Sequence, residues 1–529
     1  MFSRSLAAFL QYAPFDFSRV TRPARKPFVG GEALKWPGDM KLSARMERPG
    51  DYAKLQRARR DALESILREE PTEQSVRDAV DLICAILEES SWALIDPNEP
   101  FDDETFPPID FSCAETAALF GWTACILGER LDGFSPLILP RMLSEVRKRV
   151  FRSAAVHEDY PFMQGENAYS LSIAVDLAVT AIFLERDAAR LSRLLKSLFQ
   201  IIDTLSGMHG RFYIPLEESA TDIASVSDLV YLIGRLTGGA MDLSRSAPDR
   251  DWTDELLFSW ISEDNFVDPA GASMKPPISG MDLFRIGRVA DDKDLAALGA
   301  QLHRMRRIAP RTVNGRMLES AFSDALEANM DKPPRLKYAV LRGNRLMSVR
   351  MGGLFCAMHT GGGQSNVGEI CMFLDGNPVF PYLNRTGEAR NTPKFNALPQ
   401  LERPERPCIA DFSAFDDRET LSIDLTNAYP EGCALASYQR TVLAMRREYV
   451  LRIVEAVRFT KPSTAEFTFV CAAHPTILSS AIRFGQLRLT WEGDLDARER
   501  TLENGMTELT LASTGEITDC LYTFNFELP

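Results

Sequence analysis

A histidine precedes a glycine-rich stretch in the middle of the chain, and its imidazole could take part in proton transfer. Residues 358–382 read MHTGGGQSNVGEICMFLDGNPVFPY. The imidazole of His359 has an ordinary pKa near neutrality, as a general base requires. The amides of Gln364 and Asn366 can both donate and accept hydrogen bonds to a bound ligand. The triple glycine lacks a following Gly-Lys-Ser/Thr, so it does not predict a phosphate-binding loop.

A second group of ionisable side chains lies between residues 213 and 222. Tyr213 carries a phenol, and Glu217, Glu218 and Asp222 carry carboxylates. Two carboxylates that face one cleft about 5–10 Å apart hydrolyse glycosidic bonds, so this group is a candidate hydrolase site. The alternative is that the acids are solvated charges at a helix start, where they complement the helix dipole.

A third group follows the strand that ends this segment. It contains Arg385, Arg390, Asn391 and Asn396. Cations and amides on one loop are suited to a sugar carboxylate and its neighbouring hydroxyls. Surface solvation is the alternative.

Size and charge restrict the class of protein. The chain has 529 residues and a net charge of −14, which disfavours nucleic acid and anionic membranes as partners. Its nine cysteines form no Cys-x-x-Cys pair, which favours reduced, buried thiols. We find neither a secretory signal pattern nor an apolar run of about 20 residues, so we expect a cytoplasmic protein without a membrane span.

Two kinds of periodicity divide the chain. From about 70 to 330, apolar residues recur at helical spacing, and short connections indicate the antiparallel helix pairs of an α/α toroid, complete or incomplete. After Pro333-Pro334, alternating strands predict an antiparallel β-sandwich. The expected domains are an irregular N-terminal segment at 1–60, the toroid at 61–332 and the sandwich at 333–529. The whole chain is multidomain α+β.

Several elements within these domains can be predicted individually. Ser112 and Glu115 predict a capping box for the helix that follows. Residues 170–185 are apolar nearly all round, which predicts a buried inner helix. A helix is expected near 253–262, and a long strand is expected to run through 439–457.

The loop and strands of 358–382 resemble a segment of the heparinase II/III-like family of polysaccharide lyases. The similarity includes Val367-Gly368, the alternating strand after it and the Asp375-Gly376 turn. The family has an α/α toroid followed by a β-sandwich, the order expected here from about residue 50. The resemblance implies β-elimination on a uronic-acid-containing poly- or oligosaccharide. That reaction needs a group that neutralises the carboxylate, a base for the C5 proton and an acid for the leaving oxygen.

The chain departs from the family where its ionisable groups and zinc ligands would lie. The family's catalytic histidine position falls on Gly362, and one zinc-ligand position falls on Gln364. The family's His-Asn pair reads Phe395-Asn396 here. Glycine and phenylalanine cannot ligate zinc, so we expect no zinc and no other cofactor.

Two further segments carry the resemblance with changes. Asn167 matches a polar position of the family's motif and Tyr169 replaces an aromatic residue, although Asn167 could instead cap the next helix. Glu218 stands where the family has its catalytic tyrosine, and Tyr213 lies five residues earlier.

Three functions remain as hypotheses. The first is a lyase with a rearranged site, in which the catalytic residues are Tyr213, His359 and Glu218. Its substrate-binding residues would be Asn167, Tyr169, Gln364, Asn366, Arg385 and Asn396. The second is a catalytically inactive relative, a pseudoenzyme, that binds or scaffolds a glycan, and the third is a glycoside hydrolase. The expected partner is an acidic poly- or oligosaccharide, and a homo-oligomer is left open.

Overall fold

Two compact units make up the protein. The computed structural model describes residues 49–94, 108–154, 160–165, 169–208, 215–241, 243, 250–267, 275–336, 339–342, 346–360, 367–381, 390–401 and 408–528. The first unit takes Met1–His209, Glu217–Thr253 and Ile278–Pro334, and the second takes Gly210–Leu216, Asp254–Pro277 and Arg335–Pro529, each as far as it is described. The domain limits expected from the sequence stay predictions.

The first unit is helical and has the predicted α/α toroid architecture, in incomplete form. Successive helices pack in pairs, such as α1 with α2, α5 with α6 and α9 with α10. The helices of the described residues are α1 (Pro49–Arg68), α2 (Glu73–Leu87), α3 (Phe111–Phe134), α4 (Ile138–Val146), α5 (Ser170–Leu184), α6 (Ala188–Met208), α7 (Leu216–Leu236), α8 (Arg250–Ser259), α9 (Gly280–Val289), α10 (Lys293–Met305) and α11 (Val313–Glu327).

Helix α5 is the inner helix that the sequence predicted. All 15 of its residues are buried, and it packs against α3 and α6. A helix buried on every side must satisfy any polar side chain it carries from neighbouring helices. This requirement determines the polar contacts of Asp176, described below.

Helix α3 does not begin with the predicted capping box, which was wrong. Its N-cap is Asp110, whose side chain accepts a hydrogen bond from the backbone of Cys113 at 2.8 Å. Ser112 therefore already lies inside the first turn. The carboxylate of Glu115 points to α11 instead, where it accepts a hydrogen bond from Val313.

By length and composition, α3 could cross a membrane, which the sequence analysis did not expect. Its most apolar window is 72% buried within the helical unit. Helix α3 thus packs as a core helix.

The helix expected near 253–262 ends early. Helix α8 stops at Ser259, and a hairpin of β1 (Trp260–Ser262) and β2 (Asn265–Phe266) follows. Glu263 adopts the left-handed conformation that a tight turn requires, with φ of 49°. The turn geometry prevents the helix from continuing.

Helices α9 and α10 touch backbone to backbone at three glycines. A Cβ on Gly299 would lie 2.3 Å from the nitrogen of Phe284 and 2.7 Å from the carbonyl oxygen of Gly280. Gly287 makes an equally close approach to Ala296. No residue larger than glycine fits these positions without moving a helix.

The Gly299→Ala variant should lower the free energy of unfolding by about 1–3 kcal/mol or more, because the added methyl group meets backbone atoms that cannot give way. Urea unfolding measures this effect. The matched control is Gly207→Ala in α6, where nothing lies within 4 Å of the added Cβ. That change should be neutral or stabilise by up to about 1 kcal/mol. Equal effects of the two substitutions would contradict the backbone contact.

The second unit contains the predicted antiparallel β-sandwich. The remaining strands are β3 (Ala339–Arg342), β4 (Leu346–Met351), β5 (Leu354–His359), β6 (Ile370–Leu374), β7 (Asn377–Phe380), β8 (Lys394–Phe395), β9 (Ala410–Ala414), β10 (Arg418–Asp424), β11 (Leu435–Met445), β12 (Val450–Ser463), β13 (Ala465–Cys471), β14 (Thr476–Ile477), β15 (Ile482–Phe484), β16 (Leu487–Glu492), β17 (Leu495–Thr501), β18 (Thr507–Ser513) and β19 (Ile517–Glu527). They form sheets of the orders β14-β15-β16-β19-β12-β11-β10-β9, β17-β18-β13-β8 and β3-β4-β5-β6-β7.

One aromatic core joins the three sheets. The ring of Phe380 in β7 lies 5.2 Å from that of Phe469 in β13 and 5.7 Å from that of Phe526 in β19. Along β12, buried positions alternate with partly exposed ones, as in a two-layer β-sandwich.

Two turns in this unit test the sequence analysis. The Asp375-Gly376 turn is confirmed, since both residues have positive φ (47° and 79°) and join β6 to β7 in a hairpin. The single long strand expected through 439–457 was wrong. It is the hairpin of β11 and β12, which turns at Tyr449 with φ of 54°.

Candidate functional site

The helix starts of the first unit bring several sequence-predicted residues together. Tyr169 precedes α5, Glu217 and Glu218 lie in the first turn of α7, and Arg311 precedes α11. With Asp222 one turn further along α7, these five residues form what we call the Tyr169 cluster. The cluster includes two of the predicted site residues, Tyr169 and Glu218.

Tyr169 is held in a strained backbone conformation between two neighbours. Its φ is 63°, in the left-handed region that few non-glycine residues adopt. The guanidinium of Arg311 lies 4.6 Å from the centre of its ring, and the ring of Phe111 lies 4.9 Å away. A cation over an aromatic face at this distance is attracted to it.

The phenol of Tyr169 stays neutral over a wide pH range. Partial burial raises its pKa to about 12, while the positive charge of Arg311 opposes this shift. The negative charges of Glu218, Glu217 and Asp222 raise the pKa further, in that order. Tyr169 is therefore a proton donor near neutral pH, with carboxylates and a cation close by.

Asp222 is a structural member of the cluster. It is 5% exposed, and its Oδ1 accepts hydrogen bonds from the backbone nitrogen of Ser172 at 3.0 Å and from the Ser172 hydroxyl at 2.7 Å. These bonds satisfy donors in the first turn of α5. The interpretation of Asp222 as a solvated charge was therefore wrong.

A buried carboxylate lies in α5, two turns beyond Tyr169. Asp176 is fully buried, and its Oδ1 accepts a hydrogen bond from Nδ2 of Asn314 in α11 at 2.6 Å. Asn314 in turn accepts one from the indole of Trp122 in α3 at 2.8 Å. The Oδ2 atom of Asp176 has no hydrogen-bond partner among the described residues. Burial, followed by the charge of Glu115, raises the pKa of Asp176 well above its ordinary value.

Two arginines hold further buried acids of the helical unit. Arg285 of α9 is fully buried and donates to both carboxylate oxygens of Asp228 at 2.8 and 3.1 Å, and to Asp282 at 2.7 Å. Burial raises the pKa of Asp228 to about 6 despite this cation. Arg316 of α11 donates to Glu115 in α3 at 3.2 Å and to Glu64 in α1 at 2.9 Å.

We define the buried polar network as these carboxylates and their partners. Its hydrogen bonds and ion pairs connect α1, α3, α5, α7, α9 and α11. Its members are Glu64, Glu115, Trp122, Asp176, Asp228, Asp282, Arg285, Asn314 and Arg316.

The Asp176→Asn variant tests the raised pKa. A raised folded-state pKa means that the wild type loses stability as pH rises from the ordinary value of 3.8 toward the folded value. Asparagine has no such penalty and can accept the same bond from Asn314. Its stability relative to wild type should therefore grow with pH, by at most about 1.4 kcal/mol per pH unit in that window. Urea unfolding across pH measures the trend, and the exposed Asp78→Asn should not show it.

His359 lies in the second unit, at the end of β5. Its side chain is buried, with 1% exposed. Its backbone nitrogen donates to the carbonyl of Glu369 at 3.0 Å, and its carbonyl accepts from the nitrogen of Gly368 at 2.6 Å. These bonds tie the two ends of the glycine-rich segment to each other. A catalytic role for His359 stays a prediction.

Asn396 and Asn391 make structural hydrogen bonds in the same unit. Asn396 has φ of 52°, accepts from the nitrogen of Thr464 at 3.0 Å and donates to the hydroxyl of Ser463 at 3.1 Å. Asn391 is 2% exposed, accepts from Val470 at 2.6 Å and donates to Pro381 at 3.0 Å. Substrate binding by Asn396 stays a prediction.

Arg440 fixes the Val367-Gly368 turn. It is 3% exposed and pairs with the buried Glu455, with its Nε 2.8 Å from the carboxylate. It also donates to the carbonyl oxygen of Gly368. Tyr438 donates to the other oxygen of Glu455 at 2.8 Å. The cation therefore holds the backbone of the turn at Val367-Gly368.

The Arg440→Met variant should lower the free energy of unfolding by about 3–5 kcal/mol, because it leaves the carboxylate of Glu455 buried without its cation. Chemical denaturation provides the measurement. Arg458→Met on the neighbouring strand β12 is the control, since its pair with Asp519 is solvent-exposed and should matter little. A small loss in both variants would show that the buried pair is not needed.

Five predicted site residues lie outside the described residues, and their roles stay predictions. They are Asn167, Tyr213, Gln364, Asn366 and Arg385. No group of three or more His, Cys, Asp or Glu side chains in the described part of the chain is arranged to hold a metal ion. The expected absence of zinc stays a prediction.

The sequence analysis missed Asp176, Asn314 and Arg311. One signal was present for Asp176, because a single carboxylate in an otherwise apolar helix must have a buried partner. The closeness of Arg311 to Tyr169 depends on packing between helices more than a hundred residues apart, and no local pattern predicts it.

Comparisons with known proteins identify no family for this chain. No family model and no curated protein matches the sequence. Among solved structures, the chain is similar to the Streptomyces coelicolor A3 chondroitin AC lyase in complex with chondroitin sulphate, with a TM-score of 0.49 and 10% identity over 99% of this chain and 79% of that one. It is also similar to heparan sulfate lyase HepC from Pedobacter heparinus, with a TM-score of 0.38 and 10% identity over 100% and 88% of the two chains. At these scores we base the chemistry of the site on this chain's own side chains.

Proposed function

We propose that the protein cleaves a uronic-acid-containing poly- or oligosaccharide by β-elimination at the Tyr169 cluster. The observation that carries the proposal is a neutral phenol beside a guanidinium and two carboxylates, at Tyr169, Arg311, Glu217 and Glu218. These are the three kinds of group that elimination requires. The toroid-and-sandwich architecture and the resemblance at 358–382 support the same reaction class.

Each group has one role in the proposed reaction. Arg311 pairs with the substrate carboxylate, which makes the C5 proton more acidic. Glu218 removes that proton, and the electron pair forms the C4–C5 double bond as the C4–O4 bond breaks. Tyr169 gives its proton to the leaving O4 oxygen. The proton on Glu218 then returns to the phenolate of Tyr169 through water, so the enzyme is restored and no cofactor is required.

Within the Tyr169 cluster, the side chain that attracts the carboxylate of an acidic sugar is Arg311. The guanidinium is exposed, and the starts of α5, α7 and α11 add partial positive charge near it. Glu217 and Glu218 repel a second anionic group. We therefore expect the substrate carboxylate to lie against Arg311 and away from α7.

The Tyr169→Phe variant should reduce the rate of elimination by about 10²–10⁴-fold, because it removes the proton donor and keeps the ring against Arg311. The assay follows the ultraviolet absorbance of the unsaturated uronate product, with polygalacturonate, chondroitin sulfate and heparan sulfate as substrates. Tyr231→Phe in α7 is the control, because its ring packs against Phe322 and lies outside the cluster.

Three outcomes of this assay differ in meaning. Absorbance that grows with wild type and not with Tyr169→Phe supports the lyase. Absorbance that persists in the Tyr169→Phe variant would show that Tyr169 is not the proton donor. New reducing ends without absorbance would indicate hydrolysis, although Asp222 is already occupied in capping α5 and makes a poor second carboxylate.

Glycan binding without cleavage is the second candidate function. The observation in its favour is Gly362 at the family's catalytic histidine position. Calorimetry together with the absorbance assay separates the lyase from the pseudoenzyme. A pseudoenzyme binds the uronate oligosaccharide, loses affinity in the Arg311→Gln variant and gives no unsaturated product.

A further inference from the structure

A basic cavity lies in the helical unit, on elements that contribute nothing to the Tyr169 cluster. Its volume is about 660 Å³, within the range of small-molecule sites. One wall is the C-terminal end of α4 with the π-helical segment Arg147–Phe151 and the turn Arg152–Ala154 after it, and the other wall is α6. None of the buried polar network lines this cavity.

Matching stripes of residues form the two walls. The first wall presents positions 144, 147, 148, 151 and 152, and the second presents positions 190, 193, 194, 197 and 198. Both sets have the spacing of one helical face. The stripes place cations at the cavity mouth and the buried side chains of Phe151 and Leu198 (4% and 3% exposed) at its floor.

The cavity is strongly positive in a chain of net charge −14. Five cations line it, Arg147, Lys148, Arg152, Arg190 and Arg193, against the single carboxylate of Glu185. That carboxylate is 1% exposed and already paired with Arg147 at 2.6 Å. It also accepts hydrogen bonds from the backbone nitrogens of residues 186 and 187. The charge of Glu185 is thus used within the wall. Arg190 lies 4.0 Å from the exposed carboxylate of Asp187, so the main attraction for an anion comes from Lys148, Arg152 and Arg193.

The first wall has an unusual backbone. In the segment Arg147–Phe151, the nitrogen of Arg152 bonds to the carbonyl of Arg147, five residues back. Single π-turns inside α-helices are rare and are frequent at functional sites. Here the turn holds Lys148, Phe151 and Arg152 on the cavity side of the helix.

We propose that this cavity binds a small organic molecule that carries at least two anionic groups. Guanidinium groups pair with phosphate or carboxylate oxygens in two-point contacts, and the Phe151 and Leu198 floor accepts an apolar or ring portion. A phosphorylated compound and a uronate disaccharide share this chemistry. The site is separate from the proposed elimination reaction and does not depend on it.

Isothermal titration calorimetry at low ionic strength tests the site with two probes, inorganic pyrophosphate and digalacturonate. Arg193→Gln should weaken the binding of the preferred probe by roughly fivefold or more, since it removes one charge-assisted contact. Lys196→Gln on the same helix removes the same charge outside the cavity and should leave affinity within about twofold. Tighter binding of one probe identifies a phosphate or a uronate source.

Two results would overturn the proposal. One is the absence of binding heat for both probes up to about 10 mM, which is weaker than a specific small-molecule site. The other is an equal loss of affinity in Arg193→Gln and Lys196→Gln, which would mean non-specific attraction to a basic helix. Elimination activity is assayed separately with Arg193→Gln, whose loss of probe binding is expected without loss of activity.

Discussion

The hydrogen bond from Asn314 to Asp176 is the constraint on which the helical unit depends. Helix α5 is buried on every side, so the carboxylate of Asp176 needs a partner from a neighbouring helix. Asn314 of α11 donates to it, and Trp122 of α3 donates to Asn314. The ion pairs of Arg285 and Arg316 extend the same connection to α1, α7 and α9. Because these bonds link α5, α7 and α11, they also restrict how Tyr169, Glu218 and Arg311 lie relative to one another.

The β-sandwich unit also contains a buried carboxylate that needs a partner, and a different set of residues supplies it. A buried pair, Arg440 and Glu455, joins β11 to β12, and the same arginine holds the carbonyl of Gly368. The glycine itself has φ of 81° and stands against Leu425, where a Cβ would lie 2.6 Å from that side chain. A buried cation therefore holds the backbone at Gly368, at the end of the segment that resembles the lyase family.

The sequence predicted elements whose signal is local. The inner helix α5, the Asp375-Gly376 hairpin and the order of helices before strands all follow from periodicity or turn chemistry. The cap of α3 was misplaced because Asp110 precedes the Ser112 pattern. Of the site, the sequence indicated Tyr169 and Glu218 as members. It could not indicate Arg311 or Asn314, because their roles arise only when distant helices pack together.

The most direct measurement of the central claim is a crystal structure of the protein soaked with a uronate oligosaccharide. We expect the sugar carboxylate against the guanidinium of Arg311, and the phenol of Tyr169 within hydrogen-bonding distance, about 2.6–3.2 Å, of the oxygen that leaves. Sugar bound elsewhere on the protein, with the Tyr169 cluster empty, would contradict the account.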